Sequence, residues 1–313
     1  MLAIKNKNMI SVFICTYNPN KEFLERTVKS ILSQSLNSNL WEFGIIDNNS
    51  NSPVANLAIV KELNIKVVVE KKQGLTAARE CAMRQSNGEI LVFVDDDNIL
   101  DEDYLFWVNE VFKNDNMGIL SGSVYPEYIQ TPEEWFFEHE EMLAIRKIDG
   151  EDVITPEKPV CSNLFPIGAG MSVRRKIIED YYNIHVPETS MIEGRKGDEL
   201  SSNEDIDLDF YALSRGFIIG VFPKMKMKHI IPPGRLDIKY LTKLAVGSLK
   251  SAYQVNEKWA SFFKCNVFDS FDHSKKEILY KILVNRILGF SSKPRKMYAA
   301  YFSALYSLKK LKN

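Results

Sequence analysis

Apolar residues along this chain recur with two alternating periods. Short runs rich in Val, Ile and Phe read as buried strands at Ile10–Thr16, 41–46, 65–69, Ile90–Val94 and 118–124. Between them, residues at helical spacing (Phe23, Leu24, Val28, Ile31 and Leu32) predict a helix over 22–34, with Asn18 or Asn20 placed to cap it. A weaker helix is expected over 54–63, a good one over 75–86 behind Gly74, and an amphipathic one over 104–112. Strand and helix alternate with short connections. This pattern predicts an α/β fold in which a mostly parallel, Rossmann-like sheet is flanked by helices on both faces.

The regularity stops after Tyr125. Residues 127–166 are rich in Pro and Glu, carry Trp135, Phe136 and Phe137, and read as a helical excursion or a loop over a site. A small-residue strand is expected over 167–173, where backbone or ligand can approach closely. Residues 187–202 are polar, and 194–202 reads as a lid that orders on ligand binding. A helix opens at Glu204-Asp205, Gly216 ends it, and 217–222 is a further strand. From Tyr240 the pattern is helical, with Ile278, Leu279, Ile282, Leu283 and Ile287 on one face and Tyr298, Tyr301, Phe302 and Leu305 repeating the spacing. The expected organisation is a body over 1–238, in halves of about 1–125 and 126–238, followed by a helical extension over 239–313.

At 45% hydrophobic and 26% charged, the composition is that of an ordinary globular protein. No apolar run approaches the ~18 residues of a membrane helix, and the stretch from Met9 to Cys15 is too short for a signal peptide. The four cysteines form no C-x-x-C pair, so buried free thiols in a reducing cytoplasm are expected rather than a zinc site. Net charge is only −1, but its sign is segregated. From Lys239 onward 15 Lys/Arg face 4 Asp/Glu, whereas 25 face 37 in the rest. A basic tail on an acidic body suggests an anionic partner: the tail either caps the fold with a solvated face or rests peripherally on an anionic membrane. Nothing points to nucleic acid.

The chemistry concentrates at strand ends. Thr16, Tyr17 and Asn18 follow the first strand, Asp47 and Asn49 the second, and Asp95, Asp96 and Asp97 the fourth. In a parallel sheet these ends share one edge, the edge at which open α/β folds bind ligands. Three adjacent carboxylates repel one another unless a cation lies among them, and an oxygen-rich set suits Mg²⁺ or Mn²⁺. No G-x-G-x-x-G and no Walker-type loop follows any strand, which argues against dinucleotide and P-loop sites.

Six stretches in order carry a resemblance: Val12 to Asn18, Ile45 to Ser50, Gly74 to Arg79, Val94 to Asp97, Gly168 to Met171 and Asn203 to Leu208. Together, over about residues 9–235, they resemble the family 2 glycosyltransferases, inverting enzymes of the GT-A fold that use nucleotide-diphospho-sugars. The resemblance implies that Thr16, Tyr17, Asn18, Asp47, Asn49, Arg79, Asp95 and Asp96 bind the donor, expected to be a UDP-sugar. It implies Asp97 and Asp95, with His229 as a further match, as ligands of Mn²⁺ or Mg²⁺. Asp205 becomes the catalytic base, and Glu204, Gly170 and Met171 contact the acceptor. The expected reaction moves a sugar to a glycan or lipid-linked glycan, in the setting of bacterial surface polysaccharide (O-antigen or capsule) assembly. The competing readings are a catalytically silent sugar-nucleotide binder or scaffold, which intact Asp95, Asp97 and Asp205 argue against, and a nucleotidyltransferase, for which a Gly-rich basic loop is missing near the N-terminus.

Overall fold

The computed structural model describes residues 9–192, 194–195, 200–287 and 292–310. Eight strands join in one sheet: β1 (Ile10–Thr16), β2 (Trp41–Asp47), β3 (Lys66–Val69), β4 (Ile90–Val94), β5 (Asn98–Leu100), β6 (Met117–Tyr128), β7 (Ser172–Arg174) and β8 (Ile218–Ile231). Their spatial order is β3-β2-β1-β4-β7-β6-β8-β5. The β3, β2, β1 and β4 strands run parallel, as their continuous apolar runs predict. The β6 and β8 strands are parallel to each other, whereas β7 is antiparallel to both β4 and β6, and β5 is antiparallel to β8.

Helices cover both faces: α1 (Lys21–Leu32), α2 (Ala58–Glu62), α3 (Leu75–Gln85), α4 (Tyr104–Val111), α5 (Arg175–Asp180), α6 (Val186–Glu188) and α7 (Glu204–Ser214). Asn20 caps α1, its side-chain oxygen accepting from the Glu22 and Phe23 amides. Alternation along β1 divides the core. Val12 and Ile14 pack with Leu24, Val28 and Ile31 of α1, whereas Phe13 and Cys15 pack with Ala78 and Ala82 of α3.

Two expectations need correcting. The strand expected over 167–173 is confined to Ser172–Arg174. Ahead of it the backbone turns: Gly170 has φ +69°, and its carbonyl accepts from the buried Tyr104 hydroxyl at 2.6 Å. The small residues there serve close approach rather than a ladder, since a Cβ on Gly168 would collide with the Arg79 guanidinium. The last body strand runs on to Ile231 because a register shift after Gly122 absorbs Pro223 and re-pairs Ser123 with Lys226.

The C-terminal helices are α8 (Ile238–Phe263), α9 (Lys275–Ile287) and α10 (Lys293–Lys310). The long α8 is built into the body. Leu241 and Leu244 join the core on one side of the sheet, Val255 and Trp259 the core on the other. Leu249 and Ala252 meet Phe271, Ile278 and Leu305 in a smaller cluster beneath α9 and α10. Among the described residues no helix is long and apolar enough to cross a membrane.

Buried Asp207 fastens α8 to α7. Its carboxylate accepts from Trp259 Nε1 at 2.6 Å, Tyr181 Oη at 2.6 Å and Lys258 Nζ at 2.8 Å. Removing it strands the Trp259 and Tyr181 donors and leaves Lys258, a largely buried cation, with only the Ser190 carbonyl at 3.0 Å as a hydrogen-bond partner among the described residues. Asp207→Ala is therefore expected to destabilise the protein by about 3–5 kcal/mol, read as a lower urea midpoint at an unchanged slope. A midpoint equal to the parent's would mean that the network carries no net stability.

Candidate active site

The parallel register sets the site. Thr16 pairs with Asp47 across β1 and β2, and Ile14 pairs with Val94 across β1 and β4. The acidic run after β4 therefore comes level with the end of β1, and the Thr16 hydroxyl donates to Asp96. A cavity of about 430 Å³ opens above this edge. Thr16, Tyr17, Arg79, Asp95, Asp96, Asp97, Glu204, Asp205 and His229 all line it, so residues nearly 200 positions apart in sequence, from Tyr17 to Asp205, share one space.

Five of the residues singled out in the sequence stand outside that lining. Both Asp47 oxygens accept backbone amides, from Ser50 at 2.9 Å and Val54 at 3.0 Å, which shapes the turn after β2. Asn18 takes φ +51° and accepts from the Asn51 amide, and Asn49 takes φ +62°. Gly170 and Met171 lie beneath the cavity, and Gly168 and Ala169 line it in their place. The segment 127–166 does reach over the site, since Glu141, Met142, Leu143, Arg146 and Cys161 form part of its wall. Of the expected lid, residues 196–199 lie outside the described residues.

Glu204 and Asp205 stand at the N-terminus of α7. Asn203 turns the chain into the helix with φ +73°, and its side-chain amide donates to Ser248 O and Ser251 Oγ on α8. Asp205 accepts from the amides of Gly168 at 2.8 Å and Ile206 at 2.9 Å, bonds that fix the direction of its carboxylate. Glu204 faces Arg79 at 3.0 Å, both almost wholly buried. Burial and then Asp205 push the Glu204 carboxyl upward while Arg79 draws it back. Its Oε2 finds no hydrogen-bond partner among the described residues. One turn on, Asp209 is fully buried, and burial followed by the nearby Asp205 charge pushes its carboxyl well above the ordinary range while Arg146 draws it back.

The acidic edge is divided in the same way. Burial and the neighbouring Asp97 push Asp96 up to about 7. For Asp97 burial works upward, but His229 and Arg235 outweigh it and hold the carboxyl well below its usual range. Arg235 Nη2 lies 2.9 Å from Asp97, and Arg235 Nη1 lies 2.8 Å from His229 Nε2. His229 Nδ1 donates to Leu143 O at 2.9 Å, which turns Nε2 towards Asp97 and Arg235. That Nε2 stands 3.5 Å from Asp97 Oδ2. Among the described residues no three acidic, His or Cys side chains converge into a ready-made metal cage. The donor set of a buried carboxylate beside an inward-facing imidazole nitrogen does fit a divalent cation, and Arg235 is the positive charge that now stands among these atoms.

Arg235, Arg146, Arg195, Asn48 and Gln73 also line the cavity and were not singled out from sequence. Asn48 accepts the Gly74 amide at 2.8 Å, and Gln73 donates to Asn48 O at 2.8 Å, which fixes the wall between β2 and α3. Cys15 lines the cavity as an inert thiol, since burial pushes it up to about 12.

Known proteins share this arrangement. The crystal structure of S. aureus TarS 1-349 in complex with UDP superposes with a TM-score of 0.53 at 15% identity, covering 97% of this chain and 92% of that one, which shows a GT-A fold. The poly(ribitol-phosphate) beta-N-acetylglucosaminyltransferase TarP of Staphylococcus aureus is 29% identical over 117 residues, 36% of each chain. A cholesterol galactosyltransferase of Borreliella burgdorferi is 28% identical over 128 residues, 40% of this chain and 35% of its own. This chain thus covers about a third of the length of these relatives. The model of glycosyl transferase family 2 matches residues 11–182, more than half of the sequence. The chain accordingly belongs to glycosyl transferase family 2.

Proposed function

We propose that this enzyme transfers a sugar, with inversion, from a UDP-sugar to a hydroxyl of a glycan or lipid-linked glycan in bacterial surface polysaccharide assembly, with help from Mn²⁺ or Mg²⁺. One observation carries the reading: the acidic edge after β4 and Asp205 at the head of α7 line the same cavity. A UDP complex of a protein of the same fold supports the choice of nucleotide, and the named acceptors of two relatives, a poly(ribitol-phosphate) and a cholesterol, support a glycan-like or lipid acceptor.

In this reading the donor lies along the ends of β1, β2 and β4, against Thr16, Tyr17, Asn18, Asp47, Asn49 and Asp96. Arg79, held by Glu204, closes the wall towards the sugar. Asp97, Asp95 and His229 Nε2 are the atoms that would hold the cation, which supplies positive charge to the diphosphate leaving group when bound. Arg235, which pairs with Asp97 and lies beside His229, would offer its guanidinium to the diphosphate oxygens. On the opposite side Asp205 accepts the proton of the attacking hydroxyl at its carboxylate. The Gly168 and Ile206 amides keep that carboxylate aimed. A single in-line attack opposite the leaving group inverts the anomeric centre. A glycosidase would also use two carboxylates, but one of them would have to stay protonated to help departure.

The peripheral membrane contact has a counterpart on α9. Leu279, Tyr280, Leu283 and Ile287 are exposed along its outward side, while Ile278 and Ile282 face α10 and α8. Lys275, Lys276 and Arg286 flank this apolar stripe, the pattern of a helix lying on an anionic bilayer surface.

Two outcomes follow for the site and one for the stripe. Asp205→Asn should bind UDP as the parent does yet lose about 10²–10⁴-fold in transfer rate, measured on a UDP-sugar panel with Mn²⁺; full turnover would refute the base assignment. Asp97→Ala should abolish the strengthening of UDP binding by Mn²⁺ in calorimetry, whereas an unchanged metal effect would remove Asp97 from the cation site. Flotation with phosphatidylglycerol vesicles should recover the parent but not Leu283→Asp/Ile287→Asp, and equal recovery would dismiss the α9 contact.

A further inference from the structure

A second cavity, of about 1270 Å³, lies on the far side of α8 from the first. Ser201 lines both, and Leu244 and Ser248 face the first while Thr242, Val246 and Ser251 face the second. The seam between them is tied by Ser202 and Ser248, whose hydroxyls are 2.6 Å apart. The larger space therefore adjoins the reaction cavity beside the helix that carries Asp205.

Its walls have a distinctive chemistry. Lys239, Lys243 and Lys250 project from α8, and Lys293 and Lys296 come from α10. At ~100° per residue the three α8 lysines and Val246 fall within a sector of about 60°, and Lys239 and Lys250 are about 16 Å apart along the axis. Glu133 holds Lys293 at 2.5 Å, so the charge offered to a ligand comes mainly from the other four. Among the described residues no Asp or Glu lines the space. Met191, Leu200, Ile238 and Val246 supply apolar wall between the ammonium groups. Lysine is a point-charge partner for phosphate, while aliphatic side chains favour hydrocarbon. Both together suit an amphiphile that carries anionic phosphate next to an aliphatic chain. A polyanion without hydrocarbon would leave the apolar wall wet.

We propose that this cavity holds the diphosphate and the first part of the hydrocarbon chain of a lipid-diphosphate-linked acceptor, whose sugar end reaches past Ser201 to Asp205. The proposal rests on the glycosyltransferase reading above and names the acceptor class for that site. It also gives the basic surplus of the tail a defined target. The exposed stripe on α9 would stand beside the bilayer from which such a lipid is drawn.

Calorimetry on the full chain with UDP and Mn²⁺ saturating, so that the donor site is filled, tests it. Farnesyl diphosphate is the probe; inorganic diphosphate, farnesol and a water-soluble poly(glycerol phosphate) are the comparisons. The expected result is one-to-one binding of farnesyl diphosphate, at least about tenfold tighter than either half-molecule, the scale of one added charge-assisted contact or a few buried methylenes. Lys243→Glu/Lys250→Glu, both at exposed positions, should weaken it about tenfold or more, Lys243→Gln/Lys250→Gln by less, and UDP affinity should not move in either. Absence of binding, affinity unaltered in the Glu double variant, or tighter binding of the poly(glycerol phosphate) than of the lipid would each overturn the proposal. A parent protein that fails to bind UDP would instead overturn the underlying donor assignment and the acceptor class with it.

Discussion

The site depends on one buried ion pair. Arg79 on α3 and Glu204 at the head of α7 meet at 3.0 Å across 125 residues of sequence, both nearly sealed from water. Each charge taken from water alone would cost several kcal/mol, so neither half tolerates the absence of the other. The pair thereby fixes where α7 begins relative to β1 and β4. Asp205, the next residue, inherits that position, and the Gly168 amide refines it. Gly168 is itself small because the Arg79 guanidinium lies against it. Ion pair, glycine and the Asp205 carboxylate thus form one mechanical unit, whose worth lies in placement rather than in net stability.

A second constraint is the crowding of acids. Asp95, Asp96 and Asp97 are consecutive, and the last is almost fully buried. The fold separates their fates. Asp96 shares its charge with the Thr16 hydroxyl and is pushed towards neutrality, whereas Asp97 is kept ionised by Arg235 and His229. Arg235 balances the acidic edge as it stands, so these carboxylates are not left as an uncompensated cluster of repelling charges.

Much of this was legible in the sequence, and the gaps have physical causes. β1 and β4 could be read because every position in them is buried, so their apolar runs are continuous. The order of the strand ends then followed from parallel pairing alone. β7 was overextended because small residues that permit close approach look like a strand that permits ligand approach. The antiparallel turn of β7 and the bulge in β8 depend on partners far away in sequence. Arg235 was passed over because Pro232-Pro233-Gly234-Arg235 reads as a turn, and nothing local says that its guanidinium reaches back to Asp97. Asp47 was legible as a polar strand end, but its two backbone bonds to Ser50 and Val54 appear only once the turn is built.

The charge surplus of the tail was visible as a number, and the structure turns it into geometry. Had residues from 239 onward formed a detached basic arm, their lysines would act only as a diffuse field, screened within about 8–10 Å at physiological salt. Instead Asp207, Trp259 and Lys258 bolt α8 to α7, and Asn203 hydrogen-bonds α8 at the same turn that presents Asp205. The lysine-bearing side of α8 is therefore held at a set distance from the base carboxylate. A flexible arm can raise the local concentration of an anionic acceptor, but it cannot orient one. A rigid helix can do both, and orientation is the larger share of what the proposed direct transfer requires. That is the physical reason to regard α8 as part of the catalytic body, with only α9 and α10 left to meet whatever surface the protein works upon.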